Sequence, residues 1–188
     1  KGNFSFDNEN LTFSNDFQGA RLNGIIHNED DTYTALITSE NTPINSSPWY
    51  AFKVWSKEKK QINLILTYQE SVKHRYYPKL SSDGIHWMPL DSINYTEYDK
   101  GAKDFDPDSR PLKVKIKLEV GPDTLWVAGQ ELHTSKHVNN WIDTQAQQSY
   151  IAQKSIGKSA KGRGLKLLTI GKETGKNMLI VISRQHPP

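Results

Sequence analysis

The segment Leu112-Lys113-Val114-Lys115-Ile116-Lys117-Leu118 alternates aliphatic and lysine side chains without a break. Successive side chains of a strand leave opposite faces, so this period turns the aliphatics toward a core and the lysines toward water. The same period recurs upstream. In Gln61-Ile62-Asn63-Leu64-Ile65-Leu66-Thr67-Tyr68 it groups Ile62, Leu64, Leu66 and Tyr68, while Ile65 makes the second face partly apolar, as in a central strand. In Tyr50-Ala51-Phe52-Lys53-Val54 it groups Tyr50, Phe52 and Val54. Asp83-Gly84, between Tyr76-Tyr77 and Trp87, reads as a hairpin turn, because Gly supplies a positive φ without a Cβ clash. From about residue 3 to 130 no helical apolar period is sustained. Many short strands separated by turn chemistry indicate an antiparallel β-sandwich or barrel.

The pattern changes after Gln130. Thr134 or Ser135 can cap a helix running to about Ile151, with Val138, Trp141, Ile142 and Gln145 at helical spacing on one side. Leu165-Lys166-Leu167-Leu168-Thr169-Ile170 and Asn177-Met178-Leu179-Ile180-Val181-Ile182-Ser183 read as two strands joined by a turn from Gly171 to Gly175. The second is almost wholly apolar, the pattern of a strand buried on both faces inside an α/β sheet. Such a sheet needs more strands and helices than the remaining residues supply, so the sequence is expected to stop inside a second domain. The expected organisation is a β-sandwich over residues 1–131, a helical connector over 132–153 and the first strands of an α/β domain over 154–188. Strands without sheet neighbours tend to find partners, so self-association or disorder is expected in that tail.

Composition narrows the function classes. The 24 Lys+Arg and 21 Asp+Glu give a net charge of +3 and are interspersed, which argues against a dedicated nucleic-acid or membrane surface. Hydrophobic residues make up only 35% of the chain, but 5 Trp, 8 Tyr and 6 Phe supply large buried areas. The absence of cysteine excludes disulfide scaffolds, iron–sulfur sites and thiol nucleophiles. No apolar run is long enough to span a membrane, and Lys1-Gly2-Asn3-Phe4 opens no signal-peptide core. The protein is therefore cytosolic or has had a leader removed, with the extracytoplasmic reading slightly favoured.

Several motifs invite chemistry. Ala152-Gln153-Lys154-Ser155-Ile156-Gly157-Lys158-Ser159 fits a loose phosphate-loop pattern, but such a loop must leave a strand and enter a helix. Here a helix is expected before it, and Gly162 and Gly164 oppose one after it. Asp104-Phe105-Asp106-Pro107-Asp108 resembles the start of a calcium loop, yet Lys115 stands where the closing carboxylate belongs. His133 and His137 could share a helical face, but the expected cap falls between them and no carboxylate base intervenes. Tyr76, Tyr77 and Trp87 surround the Asp83-Gly84 turn, and Ser82-Asp83-Gly84-Ile85-His86-Trp87 is similar to a hairpin of discoidin-like carbohydrate-binding sandwiches. Core packing is the default for such aromatics. Finally, the apolar run to Ile182 is followed by His186, at the sheet end where ligands of α/β proteins bind.

Order along the chain links these pieces. Ser155-Ile156-Gly157-Lys158-Ser159-Ala160-Lys161-Gly162-Arg163, the strand at Leu165, the strand at Met178 and then His186-Pro187-Pro188 together resemble the opening of a zinc metallocarboxypeptidase domain. That family carries a G-[KR]-S-x-x-G-R turn, two strands and a zinc-binding H-x-x-E. Ser47-Pro48-Trp49-Tyr50-Ala51-Phe52-Lys53-Val54 and Arg75-Tyr76-Tyr77-Pro78 through Trp87 are similar to the β-sandwich preceding the catalytic domain in the cytosolic-carboxypeptidase-like subfamily. The resemblance spans most of residues 17 to 188. Val127-Ala128-Gly129-Gln130-Glu131-Leu132 departs from that subfamily's Pro/Tyr-rich signature, so tubulin-type deglutamylation need not follow.

The resemblance implies a parent that hydrolyses C-terminal peptide bonds of peptides or proteins with zinc. It makes His186 the first metal ligand, with the Glu of H-x-x-E and a distant second His to complete the set. It also implies an Arg that clamps the substrate carboxylate and a Glu general base, both beyond Pro188. Arg163 matches a turn arginine that is mainly structural. The 188-residue chain itself should be inert, because one imidazole cannot hold a zinc tightly. The other reading is a non-catalytic β-sandwich that binds glycan or protein, which requires Trp87 and Tyr76 to be exposed side by side.

Overall fold

The computed structural model describes residues 1–38, 47–69, 72–98, 112–171 and 179–181. They fall into two units, Lys1–Leu132 and a second beginning at His133. The first carries β1 (Asn3–Phe6), β2 (Leu11–Ser14), β3 (Gly24–His27), β4 (Thr32–Ile37), β5 (Ala51–Ser56), β6 (Lys60–Tyr68), β7 (Lys79–Ser81), β8 (Met88–Pro89), β9 (Tyr95–Tyr98), β10 (Lys113–Val120) and β11 (Leu125–Ala128). One sheet has the order β1-β2-β5-β11-β7-β8 and the other β3-β4-β6-β10-β9. Phe13, Phe52, Val54 and Val127 of the first meet Tyr33, Leu64, Leu66, Ile116 and Leu118 of the second in one buried core. This is the expected β-sandwich, and each side chain so buried contributes about 1.5–3 kcal/mol.

The lysine-rich alternation is realised in β10, where Val114, Ile116, Leu118 and Val120 are buried and Lys113 and Lys117 are exposed. Leu112 shares their phase but precedes the strand, and it lies exposed. β6 runs between β4 and β10, which accounts for the half-buried Ile65 on its second face. β4 and β6 pair in parallel, a departure from a purely antiparallel sandwich. Between them the chain crosses to the other sheet as β5 and returns, so both strands run the same way.

The hairpin at Asp83-Gly84 joins β7 to β8 through residues 82–87, a longer loop than a two-residue turn. Gly84 has φ +74°, and a Cβ there would meet the Trp126 ring at 3.1 Å. Pro89 sits in the edge strand β8, where a missing N–H is tolerated. The first sheet also has a covered outer face. Ala51, Ala128 and Leu132 are buried there beneath Phe17, Trp49, Trp87 and Trp126, and Lys53 Nζ lies 4.2 Å from the Trp126 ring centre. Small residues on the strands leave room for the indoles above them.

The second unit contains α1 (Ser135–Gln145), β12 (Ile151–Lys158) and β13 (Gly164–Ile170). Thr134 caps the helix as expected, but the helix ends at Gln145 rather than near Ile151. Its apolar stripe lapses after Ile142, which alone of the stripe is buried, whereas Val138 and Trp141 are exposed. The residues beyond form β12, which pairs antiparallel with β13. The strand expected from Leu165 to Ile170 is therefore present, but its observed neighbour is residues 151–158. Leu179, Ile180 and Val181 belong to no strand and are 87%, 67% and 82% exposed. The buried strand expected over 177–183 is not formed at these positions, because an apolar run is covered only where neighbouring strands and helices exist to cover it.

Candidate functional site

Three groups of polar side chains stand out among the described residues. The first is built around His74, in the segment between β6 and β7. His74 is 4% exposed, and its Nδ1 shares a 2.7 Å hydrogen bond with Tyr68 Oη. Its ring is stacked on Tyr50 at 6.1 Å and lies 5.8 Å from Tyr68 and 6.0 Å from Tyr95. Nε2 is buried and has no hydrogen-bond partner among the described residues. Burial pushes the imidazole down to about 4 against the opposing pull of Glu97, so the ring is neutral. Burial likewise raises Tyr50, Tyr68 and Tyr95. The Tyr50 hydroxyl donates to Tyr76 O at 2.8 Å and fastens the same segment. No spacing rule singles out His74; the clustering of Tyr68, Tyr76 and Tyr77 around it in the sequence is the available signal.

The second group is the loop between β7 and β8. Asp83 Oδ1 accepts from the Ser81 hydroxyl at 3.0 Å and from the N–H groups of Ile85 and His86 at 2.8 Å. Its Oδ2 lies 2.7 Å from His86 Nδ1, and this side-chain bond, before the backbone donors, holds the carboxyl well below the usual carboxylate range. Serine, histidine and aspartate are all present, but no nucleophile–base pair is formed. Ser81 Oγ bonds Asp83 and accepts from the N–H groups of Asp83 and Gly84, while His86 bonds Asp83 alone. The constellation shapes a loop. Trp87 is half-buried with its indole N–H donating to Gly84 O at 3.2 Å, and it packs on the outer-face cluster. Tyr76 is half-buried against the main core. The exposed pair that the glycan-binding reading requires is absent.

The third group lies at the tip of the β12–β13 hairpin. In Gly157-Lys158-Ser159-Ala160-Lys161-Gly162-Arg163 the first two residues end β12 and the remainder form the turn that leads into β13 at Gly164. Ser159 N–H donates to Arg163 O and Gly162 N–H to Ser159 O, both at 2.8 Å. Ser159 Oγ accepts from Arg163 N–H at 3.1 Å, and Gly162 takes φ +73°. Arg163 Nη1 donates to Ser135 Oγ at 3.2 Å, tying the turn to the first residue of α1. Residues 152–158 are thus strand, which removes the strand–loop–helix geometry a phosphate loop needs.

His137 closes a capping box with Thr134, a structural role at the helix start, and no group of three or more His, Cys, Asp or Glu among the described residues could hold a metal ion. The described residues therefore do not fit a zinc centre. His186 and Asp104, Asp106 and Asp108 lie outside the described residues. No helix among the described residues is long and apolar enough to cross a membrane.

No family model and no curated protein matches the chain. Solved structures do. A metallo-carboxypeptidase from Burkholderia cenocepacia superposes with a TM-score of 0.66 at 13% identity, over 88% of this chain and 41% of its own. A structure from Shewanella denitrificans assigned as carboxypeptidase A gives 0.67 at 17% identity, over 86% and 40%. A metallo-carboxypeptidase from Pseudomonas aeruginosa, in complex with (2-guanidinoethylmercapto)succinic acid, gives 0.59 at 16% identity, over 86% and 40%. The chain thus spans about 40% of the length of these carboxypeptidases and shares their fold over that part.

Proposed function

We infer that the chain is the N-terminal part of a zinc-dependent metallocarboxypeptidase of the cytosolic-carboxypeptidase-like subfamily, whose whole form hydrolyses C-terminal peptide bonds. The observation that carries this reading is the fold shared with metallo-carboxypeptidases over 86–88% of the chain. A second observation supports it: Gly157 to Arg163, which resembles the family's opening turn, forms a hairpin turn that follows a β-sandwich in the order of the chain. In this reading residues 1–131 are an accessory sandwich, 132–153 a connector and 154–188 the start of the catalytic domain. His186 is then the first zinc ligand, and the described residues take no part in bond cleavage. Their work is structural, with Arg163 holding the turn on Ser135.

The test has two parts. Reading the coding sequence past codon 188 is expected to give Glu next and a second His downstream; a stop or a non-coordinating residue overturns the assignment. The whole protein is then expected to release C-terminal residues from peptides in a zinc-dependent manner, whereas residues 1–188 alone release none.

A further inference from the structure

We propose that His74 and the tyrosines around it form an acid-released clasp on the edge strand β9: the neutral imidazole seals the space between Tyr50, Tyr68 and Tyr95, and a proton added to it opens the seal. β9 is the short last strand of its sheet and pairs, among the described residues, with β10 alone. Its first residue, Tyr95, touches His74 and lies 4.8 Å from Tyr77. Tyr77 in turn donates to Leu90 O at 3.0 Å. Segment 72–78 and the start of β9 are therefore held together through aromatic contacts that centre on one titratable ring.

That ring accepts a proton badly. An imidazolium carries an N–H on both nitrogens, and one of them meets Tyr68 Oη. The other, at Nε2, faces no acceptor among the described residues whichever tautomer the neutral ring adopts. The groups facing His74 are the phenol of Tyr50 before β5, the phenol of Tyr68 in β6, and Tyr95 with Glu97 in β9. On its own segment Lys73 is exposed and Arg75 lies over the Tyr76 ring at 5.5 Å. Burial keeps all three phenols neutral, so Glu97 is the only anion acting on the ring in this set, and it is outweighed by desolvation. Opening returns the imidazole to water, where it titrates near 6.5. The closed form then binds fewer protons than the open form between about pH 6.5 and 4, and closure is lost as pH falls through that window.

Hydrogen exchange of the 188-residue chain tests this, read at amides of residues 72–78 and 95–98 and corrected for the intrinsic pH dependence of exchange. The opening constant is expected to rise roughly tenfold per pH unit below about pH 6.5, reaching on the order of 150-fold at pH 4, where the closed-form ring begins to take up its own proton. His74→Phe fills the space without titrating, and its corrected opening constant is expected to stay flat. The same pH dependence in variant and wild type overturns the proposal. Should the variant not fold, the imidazole resonances of the wild type decide: a His74 ring still neutral at pH 5 in the closed form supports the clasp, and one that titrates near pH 6.5 while the amides stay protected overturns it.

Discussion

Gly129 passes so close to Tyr76 that a Cβ on the glycine would stand 2.8 Å from the Tyr76 Cβ. The neighbour is the root of a side chain and not its flexible end, so one of the two backbones has to move. Gly129 is also anchored by its own N–H, which donates to Tyr50 O at 3.0 Å. Gly129→Ala is therefore expected to destabilise the sandwich by about 1–3 kcal/mol. Urea unfolding should show a lower midpoint with an unchanged slope; an unchanged midpoint refutes the account.

Leu64 is fully buried in β6, opposite Ile116 of β10 and Tyr33 of β4. Leu64→Ala is expected to cost about 2–5 kcal/mol, because neighbours held in strands on both sides relax only partly into the cavity. Lys117→Ala, on the outward phase of β10, should stay within about 0.5 kcal/mol. Equal losses in denaturant titrations of the two variants would contradict the facing assigned to these strands.

Asp83 organises its loop through a carboxylate held low by His86 and by the backbone donors. A depressed carboxyl contributes stability above its ordinary titration range and loses it as pH falls through the depressed value. Asp83→Ala should therefore release the Ile85 and His86 amides to faster exchange at neutral pH, with the β10 amides unaffected. Unchanged protection at residues 85 and 86 would show that the loop is held by something other than this side chain.

Thr134 accepts from His137 N–H at 3.5 Å, and His137 Nδ1 accepts from Thr134 N–H at 3.3 Å. Thr134→Ala removes one half of this reciprocal cap and is expected to cost about 1 kcal/mol of helix stability. Faster amide exchange in the first turn of α1 is the readout; exchange equal to wild type would remove the cap from the account.

The hairpin exposes Ile156, Leu165, Leu167 and Ile170, and each strand has only the other as neighbour among the described residues. Such strands pair with further strands when they can. The 188-residue chain is expected to self-associate in sedimentation experiments, and Leu165→Lys with Leu167→Lys to shift it toward monomer. A wild-type chain that sediments as monomer at high concentration would contradict this.

Legibility in the sequence followed the range of each interaction. The faces of β6 and β10 were legible because a period of two is local and survives any arrangement of the sheets. The cap at Thr134 and the turn around Asp83 were legible for the same reason: each bonds within a few residues of itself. The neighbour of β13 was not, since pairing is chosen between segments, and residues 151–158 carry no clear alternation to mark them as strand. His74 was missed because its surroundings come from Tyr50, Tyr68 and Tyr95, which only the folded sheets bring together.

The residues by themselves determined that this is a β protein with a long two-faced central strand, an inward row of aliphatics on β10 and a capped helix after the sandwich, because side-chain alternation and capping are properties of neighbouring residues. Tertiary structure alone decided the parallel pairing of β4 with β6, the tryptophan layer outside the first sheet and the burial of one imidazole among tyrosines. Those depend on which segments meet across the fold, and contacts between distant residues leave no period in the chain.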